Sequence, residues 1–198
     1  IWGACVSGTR IVTSAPSEEA AALTLVEDGA GARNLGIDSP ARPGIVAIGV
    51  SGVLLDAIVV ADARVVGLYL SGGSLTASDV VVRGTRERAS DGTFGRGIGV
   101  EDGAHLALSR ALVEDNRENG LFVNGTGTSV EATDVVVRGT RERASDRALG
   151  RGVNVQDGAH LALSRALIED NHENGLFVAG AGTSVEATDV VVRGTRER

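Results

Sequence analysis

Lysine and methionine are absent from this 198-residue chain, and cysteine, tryptophan and tyrosine each occur once. Every basic residue is therefore arginine, which removes lysine as a general base or Schiff-base former. A lone cysteine, Cys5, excludes an intrachain disulfide and a cysteine-rich metal site. Aromatics make up only 3% of the residues. A core must therefore come from Val, Leu, Ile and Ala, which suits a narrow coil better than a broad globule. No apolar run is long enough for a transmembrane helix. The formal charge of −7 argues against nucleic acid as a partner. With no Met, Ile1 is not expected to be a natural start, and the sequence reads as a processed or excised piece.

What the chain does have is repetition. Residues 74–128 and 129–183 are two copies of one 55-residue unit, identical at 42 positions. Ser129 to Arg143 recur unchanged as Ser184 to Arg198. Such a period describes a stacked array. Within the unit, Leu106–Asn116 aligns with Leu75–Thr85, and Gly120-Leu-Phe-Val123 with Gly97-Ile-Gly-Val100. The rungs thus advance alternately by 31 residues (Ala77 to Leu108) and 24 (Leu108 to Ala132). Each holds short β-rich runs separated by Gly, Ser, Asn and Asp turns. Only Ser17–Val26 suggests a helical turn or short cap. Stacked at ~4.8 Å, about seven rungs make a rod roughly 35 Å long. The expected organisation is one β-solenoid over residues 1–198, with capping or degenerate rungs in 1–52 and regular rungs in 53–198. Trp2 is expected to plug the first rungs. The chain stops at Arg198, where a third loop should emerge.

The run Leu112-Val-Glu-Asp-Asn116 followed by Asn119-Gly-Leu-Phe-Val123 recurs at Leu167–Asn171 and Asn174–Val178. It resembles the right-handed parallel β-helix repeat proteins, the pectate-lyase-like superfamily, over about Leu35 to Arg198. The fold expected is all-β, a right-handed parallel β-helix with alternating 31- and 24-residue rungs. The resemblance implies a secreted or cell-surface bacterial protein and does not fix an activity, because the superfamily contains lyases, hydrolases, esterases, adhesins and structural tails. Thr85, Thr140 and Thr195 replace the family's turn Asn in rungs alternating with Asn116 and Asn171, which interrupts an internal Asn ladder. Ile1-Trp-Gly-Ala-Cys5 is similar to a bacterial lipoprotein cleavage site, but Trp2 fits badly and no apolar run precedes it. Cys5 is instead expected to be a buried small residue.

Two outward columns alternate in sign along the expected stack. One is Asp79, Arg110, Asp134, Arg165 and Asp189; the other is Arg83, Glu114, Arg138, Glu169 and Arg193. Opposite neighbours reward correct register and like neighbours penalise slippage, so the columns are read as structural. They also give a reason for a two-rung repeat. The Val80–Val82, Val135–Val137 and Val190–Val192 runs turn one or two residues outward, giving a thin apolar stripe for lateral packing or for cover by a loop.

The extra length of alternate rungs lies between Thr85 and Gly97 and between Thr140 and Gly152. Arg86, Arg88, Arg96, Arg141, Arg143 and Arg151, with Arg147, are the binding candidates, because guanidinium binds carboxylate or sulfate bidentately. The competing reading pairs them with Glu87, Asp91, Glu142 and Asp146. No catalytic residue, cofactor or metal site is assigned. Glu114–Asp115 and Glu169–Asp170 are adjacent, so each pair splits across a strand. His105, His160 and His172 lack zinc-ligand spacing. Two functions follow from these observations. The first is a non-enzymatic structural or adhesive solenoid that contacts polysaccharide, protein or its own copies, side by side or end to end. The alternative is a carbohydrate-active enzyme, a polysaccharide lyase or hydrolase.

Overall fold

The computed structural model describes residues 1–196. Among them all regular structure is strand, and every strand pairing is parallel. The expected third loop at Arg198 lies outside the described residues. One row of strands, here face A, stacks β2 (Leu23–Leu25), the start of β4 (Ile45–Ala61), the start of β5 (Val66–Arg83), β6 (Arg96–Glu101), β8 (Asn119–Asn124), β10 (Arg151–Gln156) and β12 (Leu176–Ala179). The other row stacks β1 (Arg10–Val12), β3 (Gly31–Asp38), the ends of β4 and β5, β7 (His105–Glu114), β9 (Ser129–Arg138), β11 (His160–Glu169) and β13 (Ser184–Arg193). In this row Ser74 pairs with His105, His105 with Ser129, Ser129 with His160 and His160 with Ser184.

The strands of the second row bend once. Ser78 pairs with Ser109 and Val80 with Ala111, but the residues between, Asp79 and Arg110, stay out of the ladder. Asp79, Arg110, Asp134, Arg165 and Asp189 all have left-handed φ, between 50° and 58°. Left-handed backbone costs a non-glycine residue roughly 1 kcal/mol, so the corner is imposed by the stack and not by local preference. It divides the row into face B (74–78 and its equivalents) and face C (80–83 and its equivalents). Three faces then enclose a core of Leu, Ile, Val and Ala, including Leu68, Ile98, Leu121, Leu161 and Ile168. Residues alternate on either side of the corner, with Leu106, Leu108, Ala111 and Val113 inward and Ala107 and Leu112 turned out.

Every rung after the first, which enters at Ala22, enters face A through a glycine: Gly44, Gly67, Gly97, Gly120, Gly152 and Gly175. A Cβ on Gly97 would lie 2.6 Å from the carbonyl oxygen of Gly120, and one on Gly120 equally close to that of Gly152. The backbones therefore approach here more closely than any side chain allows. One turn earlier, Asp62, Gly84, Asp115, Gly139, Asp170 and Gly194 share a second left-handed corner. The Oδ1 of Asp115 sits 2.9 Å from where a Gly139 Cβ would be, so each aspartate leans into space its neighbour's glycine leaves free.

Asn116 and Asn171 are fully buried and bridge to the preceding rung. Asn116 Oδ1 accepts from Thr85 N at 3.0 Å, and its Nδ2 donates to Val82 O at 3.2 Å. Asn171 repeats this with Thr140 and Val137. The buried hydroxyls of Thr85 and Thr140 have no partner, so the column is bonded in every second step only.

Three expectations at the N-terminal end fail. Ser17–Val26 contains no helix; Ser17 and Ala22 donate to Ala41 and Pro43 carbonyls at 3.0 and 2.8 Å, and Leu23–Leu25 is strand. Tertiary pairing overrides the helical propensity of the Glu-Ala run. Trp2 does not plug the coil, whose narrow bore is filled by Leu23, Leu25 and Ala32. Its exposed indole lies over the Arg33 guanidinium at 5.0 Å. Cys5 is exposed, in a turn that precedes β1.

Candidate functional site

The two long loops fold alike. In the first, Arg88 N donates to Thr93 O, Gly92 N to Arg88 O, and Asp91 Oδ1 accepts from Thr93 N and Oγ1 at 2.9 and 2.7 Å. The second repeats the frame with Arg143, Ala148, Arg147 and Asp146. These bonds hold the Asp91 carboxyl below its ordinary range, mainly through Thr93. The Asp146 carboxyl is lowered first by Arg143. The loops also stack on each other: Glu87 accepts from Ala144 N at 2.7 Å, and Ser145 Oγ donates to Gly92 O at 2.9 Å. Below them, Glu18 of the N-terminal segment accepts from Ser90 N and Oγ at 2.9 and 2.7 Å. Three segments distant in sequence thus form one ridge beside face A.

The candidate arginines divide into two groups. Arg88, Arg96, Arg143 and Arg151 act as internal clamps. Arg88 lies 3.2 Å from Asp91 and 4.3 Å over the Phe94 ring. Arg143 pairs with Asp146 at 2.6 Å and reaches Glu118 at 3.4 Å. Arg96 runs along the outside of β6, where Gly99 leaves room, to bond Glu101 at 2.5 Å and Glu118 at 3.2 Å. It covers Phe122 at 3.8 Å, as Arg151 covers Phe177 at 3.6 Å. Phe122 and Asn154 point outward yet are only 5% and 3% exposed. The chain's own arginines therefore close much of the outer surface of face A. Arg86 and Arg141 form the second group, 60% and 59% exposed, each with one contact, to Asp62 at 3.5 Å and Asp115 at 3.2 Å.

Arg86 and Arg141 belong to a column that the alternating-charge argument overlooked. Bridges join Arg64 to Arg86 and Arg117 to Arg141, Arg117 N donates to Thr85 O, and His172 N donates to Thr140 O. Arg64, Arg86, Arg117, Arg141 and His172 therefore stack at successive rungs with like charge, His172 contributing when protonated. Arg64 and Arg117 each use Nη1 to hold a loop carbonyl, Glu87 O at 3.0 Å and Glu142 O at 2.9 Å. A depression of about 390 Å³ runs along Arg86, Arg117 and Arg141, lined also by Asp62, Glu87 and Asp115. Extending the alignment of Thr85 with Asn116 by one residue would have revealed the column.

The alternating columns resolve into discrete pairs. Arg110 grips Asp79, and Arg165 grips Asp134, through two bonds of 2.7–2.8 Å each. Arg138 binds Glu114 at 2.7 Å and Arg193 binds Glu169 at 2.9 Å. Asp115 and Asp170 stand at the next corner, away from Glu114 and Glu169. His105 and His160 bond Ser129 and Ser184 at 2.6 and 2.8 Å. Among the described residues no three His, Cys, Asp or Glu side chains are placed to hold a metal ion, and no helix is long and apolar enough to cross a membrane.

One constellation is not repeated. A groove of about 360 Å³ on face A is lined by Val46, Ile48, Tyr69 and Phe94, with Glu18, Glu19, Arg96 and Glu101 at its rim. Tyr69 donates its hydroxyl to Glu101 at 3.1 Å. Burial, with the Glu101 charge second, pushes the Tyr69 phenol up to about 12.

The sequence matches the family model described as "Right handed beta helix region" over residues 22–192. No curated protein matches the sequence. Among solved structures, the crystal structure of pectate lyase Pel9A is similar, with a TM-score of 0.58 and 12% identity. The alignment covers 96% of this chain and 58% of that one, so the chain spans less than two thirds of its neighbour's length. At this identity the likeness concerns the fold alone. The chain belongs to the right-handed β-helix family.

Proposed function

We propose that this chain is a non-catalytic structural or adhesive solenoid of a secreted or cell-surface protein, whose loop side contacts glycan or protein. The observation that carries the reading is the covering of face A from β8 to β12 by the chain's own arginines. Where an open cleft would present acids and bases to a polymer, Arg96 and Arg151 lie over Phe122 and Phe177, and Glu118 is buried between Arg96 and Arg143. Outside that face, the exposed Arg86 and Arg141, two rungs or ~10 Å apart, supply guanidinium for an anionic group. Asp62 and Asp115 beside them accept from hydroxyls. The second reading, a polysaccharide lyase or hydrolase, is favoured by the unrepeated groove of Tyr69, Phe94 and Glu101, since an active site is one asymmetric constellation.

Co-sedimentation and viscosity of a panel of neutral and acidic polysaccharides, with and without Ca²⁺, separate the two. Binding without loss of viscosity, abolished by Arg86→Ala with Arg141→Ala and kept in Arg110→Ala, is the expected result. A fall in viscosity that scales with protein concentration would overturn it and send attention to the groove. Absence of any glycan binding leaves protein as the ligand class.

A further inference from the structure

Among the described residues no loop covers the outward surface of face C, whose apolar residues are half-buried only by their neighbours in the stack. Its central column is Val59, Val81, Leu112, Val136, Leu167 and Val191, apolar at six consecutive rungs, the first five half-buried by their neighbours and Val191 exposed. On either side stand the two charged columns, and within each rung their signs are opposed: Asp79 with Arg83, Arg110 with Glu114, Asp134 with Arg138, Arg165 with Glu169, Asp189 with Arg193. We propose that face C is a self-association surface on which a second copy packs in parallel, about a twofold axis running along the rod.

The symmetry follows from the charges. A twofold axis parallel to the rod and lying in the interface keeps each rung level and exchanges left with right. Asp79 then faces Arg83 of the second copy, Arg110 faces Glu114, and so on, with opposite signs at every level and apolar residue against apolar residue on the axis. An axis across the rod lays each column against its own reverse. Because Asp79, Arg110, Asp134, Arg165, Asp189 reads the same from both ends, every in-register antiparallel contact is then between like charges. The in-chain pairing leaves two charges over among the described residues: Asp189, because Arg165 is committed to Asp134, and Arg83, which has Ala61 below it and, above it, a Glu114 committed to Arg138. The second copy's Asp79, gripped by Arg110 of its own chain, is the carboxylate that faces Arg83 across the axis. The stripe measures roughly 24 Å by 13 Å, about 300 Å² per copy against the roughly 800 Å² of a stable interface. The dimer is therefore weak and concentration-dependent. This inference goes beyond the adhesive reading and uses none of its residues.

Sedimentation velocity over a concentration series tests it with Arg83→Asp, Asp79→Arg and their equimolar mixture. The wild type should dimerise at high concentration. Each variant alone should weaken the dimer about tenfold, since two exposed contacts become repulsive, and the mixture, in which the reversed signs meet, should regain it. In a Cys5→Ser background, Val81→Cys should cross-link to itself with a short bis-maleimide. Cross-linking only between Val81→Cys and Val191→Cys chains would show the antiparallel arrangement and overturn the proposal. So would a wild type that remains monomeric, or a folded Arg83→Asp variant that dimerises as well as the wild type.

Discussion

Faces A and C are built from the same alternating strands, yet their outer surfaces have opposite fates. On face A the outward side chains Phe122 and Asn154 are buried beneath Arg96 and the loop ridge. On face C the equivalent positions, such as Leu112 and Val136, remain in contact with solvent. The coil makes both surfaces available, and the insertion after Thr85 and Thr140 decides which is occupied. A scaffold of this kind separates its stability, which is inside, from its surface chemistry, which each turn can change independently.

Truncating the outward residue of each face should break the comparison most sharply. Phe122→Ala is expected to cost about 3–5 kcal/mol, as for a core phenylalanine, whereas Leu112→Ala should cost less than about 1 kcal/mol; urea unfolding of the two variants decides. Arg96→Ala follows, at about 2 kcal/mol, because it strips a charge-assisted bond from the buried Glu118 and uncovers Phe122; its effect should be visible in the same titrations and should exceed that of Arg110→Ala.

Tyr69 gives the next effect, because it is the only tyrosine and its ionisation can be followed directly by absorbance. A midpoint near 12 is expected, and Phe94→Ala should lower it toward 10 by admitting water to the groove. A raised phenol pKa means that the neutral form is favoured in the fold, so this contribution is complete below the unfolded value of about 10 and lost as pH rises through 12.

The smallest effect belongs to the outer columns. The carboxyls of Asp79 and Asp134 are held below 3.8 chiefly by bonds from Arg110 and Arg165. That contribution is present above the ordinary carboxylate value and disappears as pH falls through the lower folded one. Arg110→Ala with Arg165→Ala should lower the melting temperature slightly at neutral pH, leave it unchanged once the carboxyls are protonated, and so make its decline below about pH 4 shallower.

The stacked coil was legible because its core obeys a period: Val80-Val-Val82 and its copies align only one way. The corner at Arg110 was not, since nothing in an arginine's side chain favours left-handed backbone, and the turn is forced by the rungs on either side. The loop arginines were visible as charges, but their clamping role depended on Glu118 and Glu101, which no local pattern links to Arg96. The Glu-Ala run at Glu18 carries a helical propensity, and the contact that overrides it, with Ser90, is 72 residues away. The like-charged column is legible in the sequence, one residue beyond the aligned Thr85 and Asn116, at Arg86 and Arg117.

The corner shared by Asp62, Gly84, Asp115 and Gly139 constrains how such a chain can change over generations. Each aspartate leans toward a neighbouring glycine, so losing a glycine rung or gaining an aspartate rung would crowd two carboxylates into one space. A duplication copying 55 residues carries both members and leaves the alternation intact. The near-identity of residues 74–128 and 129–183 is then the mark of a lineage that lengthens by even steps, with the unit of inheritance set by the width of one side chain.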